Sequence, residues 1–145
     1  MPNQIRAKVL CLFRQGDRIL VNQAHDTVKR QDYCRPLGGG IEFGETSTEA
    51  LVREVREELS AEVINLRQVG TLENLFIYNG TPGHEIVVIY DGEFADASLY
   101  DEPFLSGVES NGERFQAQWR SLDSFSEALP LYPNGLLALL RPAKT

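Results

Sequence analysis

Apolar and polar residues along the chain change rhythm several times, and each change marks an element. "IRAKVLCLF" (5–13) and "RILVNQAH" (18–25) are rich in β-formers and flank "RQGD", which predicts a hairpin. "YCRPLGGGIEFGET" (33–46) begins extended, because Pro36 disfavours helix at Arg35, and its glycines then predict a loop. Thr46 and Glu49 form the T-x-x-E pattern of a capping box. The helix it opens should run from about Ser47 to Leu59. Leu51, Val55 and Leu59 fall along one face with Val52 beside them. "VGTLENLFIY" and "HEIVVIYDGEF" read as strands joined by the turn residues "NGTPG". Ala95 to Glu113 is acidic and broken by Pro103, Gly107 and Gly112, which predicts a long functional loop. "RFQAQWRSL" is a last strand and "PNGLLALLR" a short apolar helix. Strands, one long helix, more strands and a closing helix fit an α+β or α/β/α sandwich.

The bulk numbers narrow the partners. A chain of 145 residues, 42% apolar and 24% charged, fits one domain spanning 1–145. Twenty-one acids against fourteen Lys and Arg leave a net charge of −7, which argues against nonspecific binding to nucleic acid or an anionic membrane. Val9 to Phe13 is too short for a signal-peptide core, and no stretch approaches a membrane span. Cys11 and Cys34 lack metal-ligand spacing and read as buried, reduced thiols, so a cytoplasmic location is expected.

One short stretch does not fit a plain surface helix. In "REVREELSAE", Glu57 and Glu58 stand three and four residues beyond Glu54, so all three carboxylates share a face and repel. A solvated face softened by Arg53 and Arg56 is the bland explanation. A hard divalent cation is the other. Mg²⁺ takes oxygen ligands, commonly one or two carboxylates with waters and substrate phosphates. Ser47 and Ala50 occupy that face one turn earlier and leave it uncluttered.

Gly39 to Ala61, "GGIEFGETSTEALVREVREELSA", resembles the Nudix box of the Nudix hydrolases. Gly39, Glu45, Arg53, Glu54, Val55, Glu57 and Glu58 match its fixed positions. Ser60 and Ala61 stand where the box has glycine and a bulky aliphatic, and the glycine would suit a left-handed helix cap. The resemblance implies a Nudix-type α/β/α sandwich, α+β in class, with a mixed central sheet and one long catalytic helix. It implies Mg²⁺-dependent hydrolysis, with Mn²⁺ as a substitute, of a pyrophosphate bond in a nucleoside diphosphate linked to another group. A nucleoside triphosphate or a dinucleoside polyphosphate is the expected substrate. The competing reading is a catalytically silent Nudix-fold domain that senses a nucleotide.

Roles follow by the same resemblance. Glu54 and Glu58 are the principal metal ligands, Glu57 is next, and the Gly38 carbonyl is a backbone ligand. Arg53 orients the carboxylates, and Glu45 supports the loop and helix start. The general base is Glu57 or the late-loop Glu109, with Glu113 as the fallback. Gly39, Gly40 and Tyr78 are the substrate-binding candidates. Tyr78 lies near where dinucleoside-polyphosphate hydrolases of the family carry tyrosine. The expected partner is a small-molecule nucleotide, with no nucleic acid and no membrane. The oligomeric state stays open, with a homodimer allowed.

Overall fold

A computed structural model describes residues 3–141. Seven strands and two α-helices follow in the order β1 (Ile5–Gln15), β2 (Arg18–Asp26), β3 (Gln31–Gly40), α1 (Ser47–Leu59), β4 (Val63–Tyr78), β5 (Thr81–Phe94), β6 (Phe104–Val108), β7 (Arg114–Ser121) and α2 (Leu136–Leu140). The strands lie in the order β4-β5-β1-β3-β2-β7-β6. Only β1 and β5 run parallel, from Ile5 opposite His84 to Phe13 opposite Gly92, and the other named pairs are antiparallel, so the sheet is mixed.

β3 changes partner at Pro36. Residues 31–36 pair with β2, and residues 37–40 pair with β1. The expected glycine loop is therefore strand as far as Gly40. Glycine is needed there for space: a Cβ at Gly38 would overlap the Val9 carbonyl oxygen, and Gly38 has a φ of 151°. The true loop is 41–46. A second correction concerns Ala95 to Glu113. Its middle is β6, paired with β7 from Phe104 opposite Gln118 to Val108 opposite Arg114. Alternation there is real but hidden, because buried Leu105 and Gly107 supply the inward positions and glycine carries no hydropathy signal.

The two helices cover opposite faces. Ala50, Leu51 and Val55 of α1 are buried among Val9, Cys11, Phe13, Leu20 and Tyr90. Leu136 and Leu140 of α2 are buried among Leu10, Leu12, Ile89 and Leu131 on the other side. Both cysteines are buried and unpaired. Leu59, expected in the apolar stripe, is only half-buried, while Ala50 on the carboxylate side is wholly covered. The glycine stretch of β3 lets the helix settle onto that side. Truncating Leu51 to alanine would cost ~2–5 kcal/mol, the usual range for a buried leucine.

The helix ends match the sequence signals. Thr46 Oγ1 accepts from Glu49 N at 3.2 Å, and Glu49 Oε1 accepts from Thr46 N at 2.9 Å, closing the capping box. At the other end Ser60 takes the left-handed conformation, φ 54° and ψ 36°, and its N–H donates to Arg56 O. The fold keeps the glycine geometry with a serine, at a cost of about 1 kcal/mol. Among the described residues no helix is long and apolar enough to cross a membrane.

Candidate active site

α1 places its charges by helical phase. Ala50, Glu54 and Glu58 follow at steps of four, so the side that buries Ala50 carries both carboxylates toward β3 and β6. The Glu54 side chain is only 14% exposed. It lies over Gly39, where a Cβ would stand 2.6 Å from both carboxylate oxygens. Any larger residue at Gly39 would displace Glu54. Gly39 thus seats the carboxylate.

Arg53 ties the loop to the helix. Its Nε and Nη2 donate to the two oxygens of Glu45 at 2.7 and 2.9 Å, the planar fork matching the carboxylate. Nη2 also donates to the Gly40 carbonyl at 3.0 Å. Nη1 donates to Glu54 at 3.0 Å and to Glu57 at 3.3 Å. Glu45 in turn accepts from the Glu42 N–H at 2.9 Å, while the Glu42 carboxylate stays exposed, 4.0 Å from Arg53. The Arg53 contact holds the Glu45 carboxyl down at about 2. Glu45, foremost, and then Glu54 raise the Arg53 guanidinium. The Gly40 carbonyl is therefore engaged by Arg53, and Glu57 leans outward onto the same guanidinium.

Glu58 is in the opposite situation. Burial, followed by the Glu54 carboxylate beside it, pushes its carboxyl well above the usual range; Arg35 opposes this and Glu109 adds to it. Two acids face each other here with too little positive charge between them. Among the described residues, no three acidic, histidine or cysteine side chains converge at metal-ligand distance. Two facing carboxylates are nevertheless the donor set that suits Mg²⁺, which completes its shell with waters and phosphate. A groove of about 650 Å³ opens along Glu57, Glu58 and Ser60 on one wall and Gly107 and Phe115 on the other, so solvent reaches Glu58.

Glu109 reaches the cluster from the β6–β7 hairpin. A Cβ at Gly107 would come within 2.8 Å of the Glu58 carbonyl, so glycine there lets β6 close against the helix end. Two residues on, the Glu109 carboxylate accepts from Asn22 Nδ2 at 3.3 Å and lies 3.7 Å from Arg35 Nη2. The long loop expected at this point is instead a hairpin, closed by Glu109 N to Glu113 O at 2.7 Å, with Glu113 exposed. Tyr78 stands apart from the carboxylates, at the tip of the β4–β5 hairpin. Its ring packs edge-on to Tyr33 with centroids 6.2 Å apart. Trp119 stacks on Tyr100 at 5.5 Å and donates to the Glu102 carbonyl, which makes it a packing residue.

Sequence reasoning passed over Asn22 and Arg35. Both carry weight only through register, since β2 and β3 set Asn22 opposite Arg35. No motif spacing marks them.

A mixed sheet with a capped helix that carries this charge arrangement defines the class. Residues 2–138 match the NUDIX domain family. The chain belongs to the Nudix family, as the Gly39–Ala61 motif implied. Curated relatives include the NAD-capped RNA hydrolase NudC of Pseudomonas aeruginosa, 28% identical over 130 residues, which are 90% of this chain and 40% of that protein. The NudC of Pectobacterium carotovorum is 30% identical over 69% of this chain and 35% of its own. The chain thus spans about two-fifths of the length of such relatives. Among solved structures, a MutT NUDIX hydrolase from Burkholderia pseudomallei superposes with a TM-score of 0.65 at 19% identity, covering 95% of this chain and 98% of that one. The E. coli ORF135 protein gives 0.57 at 22% identity, covering 94% and 87%. At these identities the likeness is one of fold.

Proposed function

We propose that this chain is a divalent-metal-dependent pyrophosphohydrolase acting on a nucleoside diphosphate linked to another group. The observation that carries this is the facing pair Glu54 and Glu58, packed against β3 with their charges unbalanced. Glu54 and Glu58 would hold Mg²⁺, with the Gly38 carbonyl and Glu57 as further oxygens. Bound there, it would neutralise the pyrophosphate and lower the pKa of a coordinated water.

The chain's own residues then have separate tasks. Arg53 and Gly39 fix Glu54. Glu109, aimed at the cluster by Asn22 and Arg35, takes the proton of the attacking water; its placement favours it over Glu57, which leans on Arg53. The water oxygen bonds to phosphorus as the bridging P–O bond breaks, and the bridging oxygen leaves with the second phosphate. Positioning and charge carry most of such a reaction.

The substrate panel follows from two sources. The sequence points to nucleoside triphosphates and dinucleoside polyphosphates, and the NudC similarity adds NAD and NAD-capped RNA. Each is incubated with Mg²⁺ or Mn²⁺ and its products identified. Glu54→Gln should lower kcat by at least about a hundredfold on whichever substrate is cleaved, with the circular dichroism spectrum unchanged. Nucleotide binding with no turnover of any panel member would establish the silent sensor instead.

A further inference from the structure

Near its hairpin end, β4 reverses the usual distribution of polar and apolar side chains. Asn74 is buried, while Leu75 and Ile77 are 69% and 53% exposed. Single exposed apolar residues mean little, but a contiguous group of them marks a contact surface. Register makes these contiguous. Leu75 lies opposite His84 of β5, and His84 lies opposite Ile5 of β1, so the three side chains form one row across three strands. Ile5 is 63% exposed. Glu73 and Ile86 stand together in the next row. Steps of two lead from Ile5 to Val9 along β1 and from Ile86 to Tyr90 along β5, so this is the face that α1 covers further on.

The helix begins too late to reach these rows. Its first residue, Ser47, shares a hydrogen bond of 2.6 Å with the Tyr90 hydroxyl, and Ala50, Leu51 and Val55 pack on the rows beyond. Ile41, whose N–H donates to the Ala7 carbonyl, is half-buried at the margin of the face, and Phe43 two residues on is fully exposed. β4 is also an edge strand of the sheet. Ile5, Leu75, Ile77 and Ile86 with Phe43 offer on the order of 500 Å² of apolar surface, against ~800 Å² for each side of a standard interface and less for a weak one.

Charge selects the partner. The chain carries −7, which holds copies apart over most of its surface. On these strands the face carries one acid, Glu73, and one histidine, His84, in adjacent rows of neighbouring strands. A two-fold axis lying between them sets the Glu73 of each copy against the His84 of the other, and an imidazole N–H donates to a carboxylate whether or not the ring is charged. Such an isologous contact matches one patch with itself. We propose that this face joins two copies of the chain in a symmetric dimer, sheet face on sheet face. It lies toward the start of α1, whereas Glu58 stands near the other end, so the groove along Glu58 stays open in the dimer. The inference is independent of the hydrolase reading.

Sedimentation velocity of the full chain from about 1 to 300 µM should show a monomer–dimer equilibrium with a midpoint on the order of tens of micromolar, the strength of an interface at the small end. Leu75→Lys and Ile5→Lys each reduce the net negative charge and so lower the general repulsion, yet each should weaken the dimer at least about tenfold. Both positions are exposed, and the circular dichroism spectrum should not change. Ile64 is exposed on the same strand but points to the opposite face from its buried neighbour Val63, so Ile64→Lys should leave the midpoint within about twofold. Glu73→Lys should weaken the dimer, and adding His84→Glu to it should recover part of the loss. A chain that stays monomeric up to about 300 µM overturns the proposal and gives the face to a different protein. A dimer that tolerates both Leu75→Lys and Ile5→Lys overturns it too.

Discussion

Around Arg53, one guanidinium meets Glu45, Glu54, Glu57 and the Gly40 carbonyl, and nearly every donor has an acceptor. One turn further along α1, Glu58 faces Glu54 and Glu109 with only the distant guanidinium of Arg35 to offset them. The first group is compensated within the chain. It fixes the loop to the helix, and its geometry holds without a ligand. The second is left short of positive charge, and burial magnifies the deficit. Charges paired at home hold geometry, whereas charges left unpaired at a fixed place await something from outside. The sharing of Glu54 between the two groups is what makes the first group matter to the second.

Substitutions on the two sides should therefore fail differently. Glu109→Gln removes the proposed proton acceptor while leaving a hydrogen-bond acceptor for Asn22. It should lower kcat by about a hundredfold with Mg²⁺ affinity nearly unchanged. A normal kcat across the pH range would return the role of base to Glu57. Arg53→Met should act on both groups through Glu54. It should cost about 2 kcal/mol in chemical denaturation and reduce kcat about tenfold, because hydrogen bonds to a charged group are lost and the carboxylate loosens. Loss of activity with full stability would mean that Arg53 does not hold the loop.

The smallest effect concerns pH. The folded Glu45 carboxyl is held at about 2, below its unfolded value of ~4.3. A depressed acid contributes stability that is complete above the unfolded value and is lost as pH falls through the folded one. Thermal melts of wild type and Glu45→Gln should thus differ most above about pH 5 and converge toward pH 2. A constant difference over that window would show that Glu45 acts by packing and not by charge.

Much of the compensated group was legible in the sequence. The capping box, the helix bounds and the reach of Arg53 to Glu57 are local, fixed by spacings of three and four. Even Ser60 betrayed its left-handed cap by standing where a glycine belongs. The other group was half visible. Glu54 and Glu58 share a helix, but their asymmetry arises because Gly39 and Gly107 admit a strand on each side, and glycine leaves no hydropathy trace. β6 was hidden for the same reason inside an apparent loop. Asn22, Arg35 and Glu109 come together only through the register of β2 against β3 and the return of the β6–β7 hairpin. Such neighbours are set by tertiary register, which no local pattern encodes.

The pairing of Glu54 and Glu58 around a divalent cation is tested most directly by thermal unfolding of wild type and Glu58→Gln at pH 8, with and without Mg²⁺. Metal-free Glu58→Gln should be the more stable protein, by about 1 kcal/mol, since it relieves a buried like-charge contact. Mg²⁺ at tenfold its dissociation constant should stabilise the wild type by about 1.4 kcal/mol, a shift of a few degrees, and leave Glu58→Gln almost unmoved. An equal Mg²⁺ shift in both proteins, or a metal-free variant less stable than wild type, would contradict the assignment.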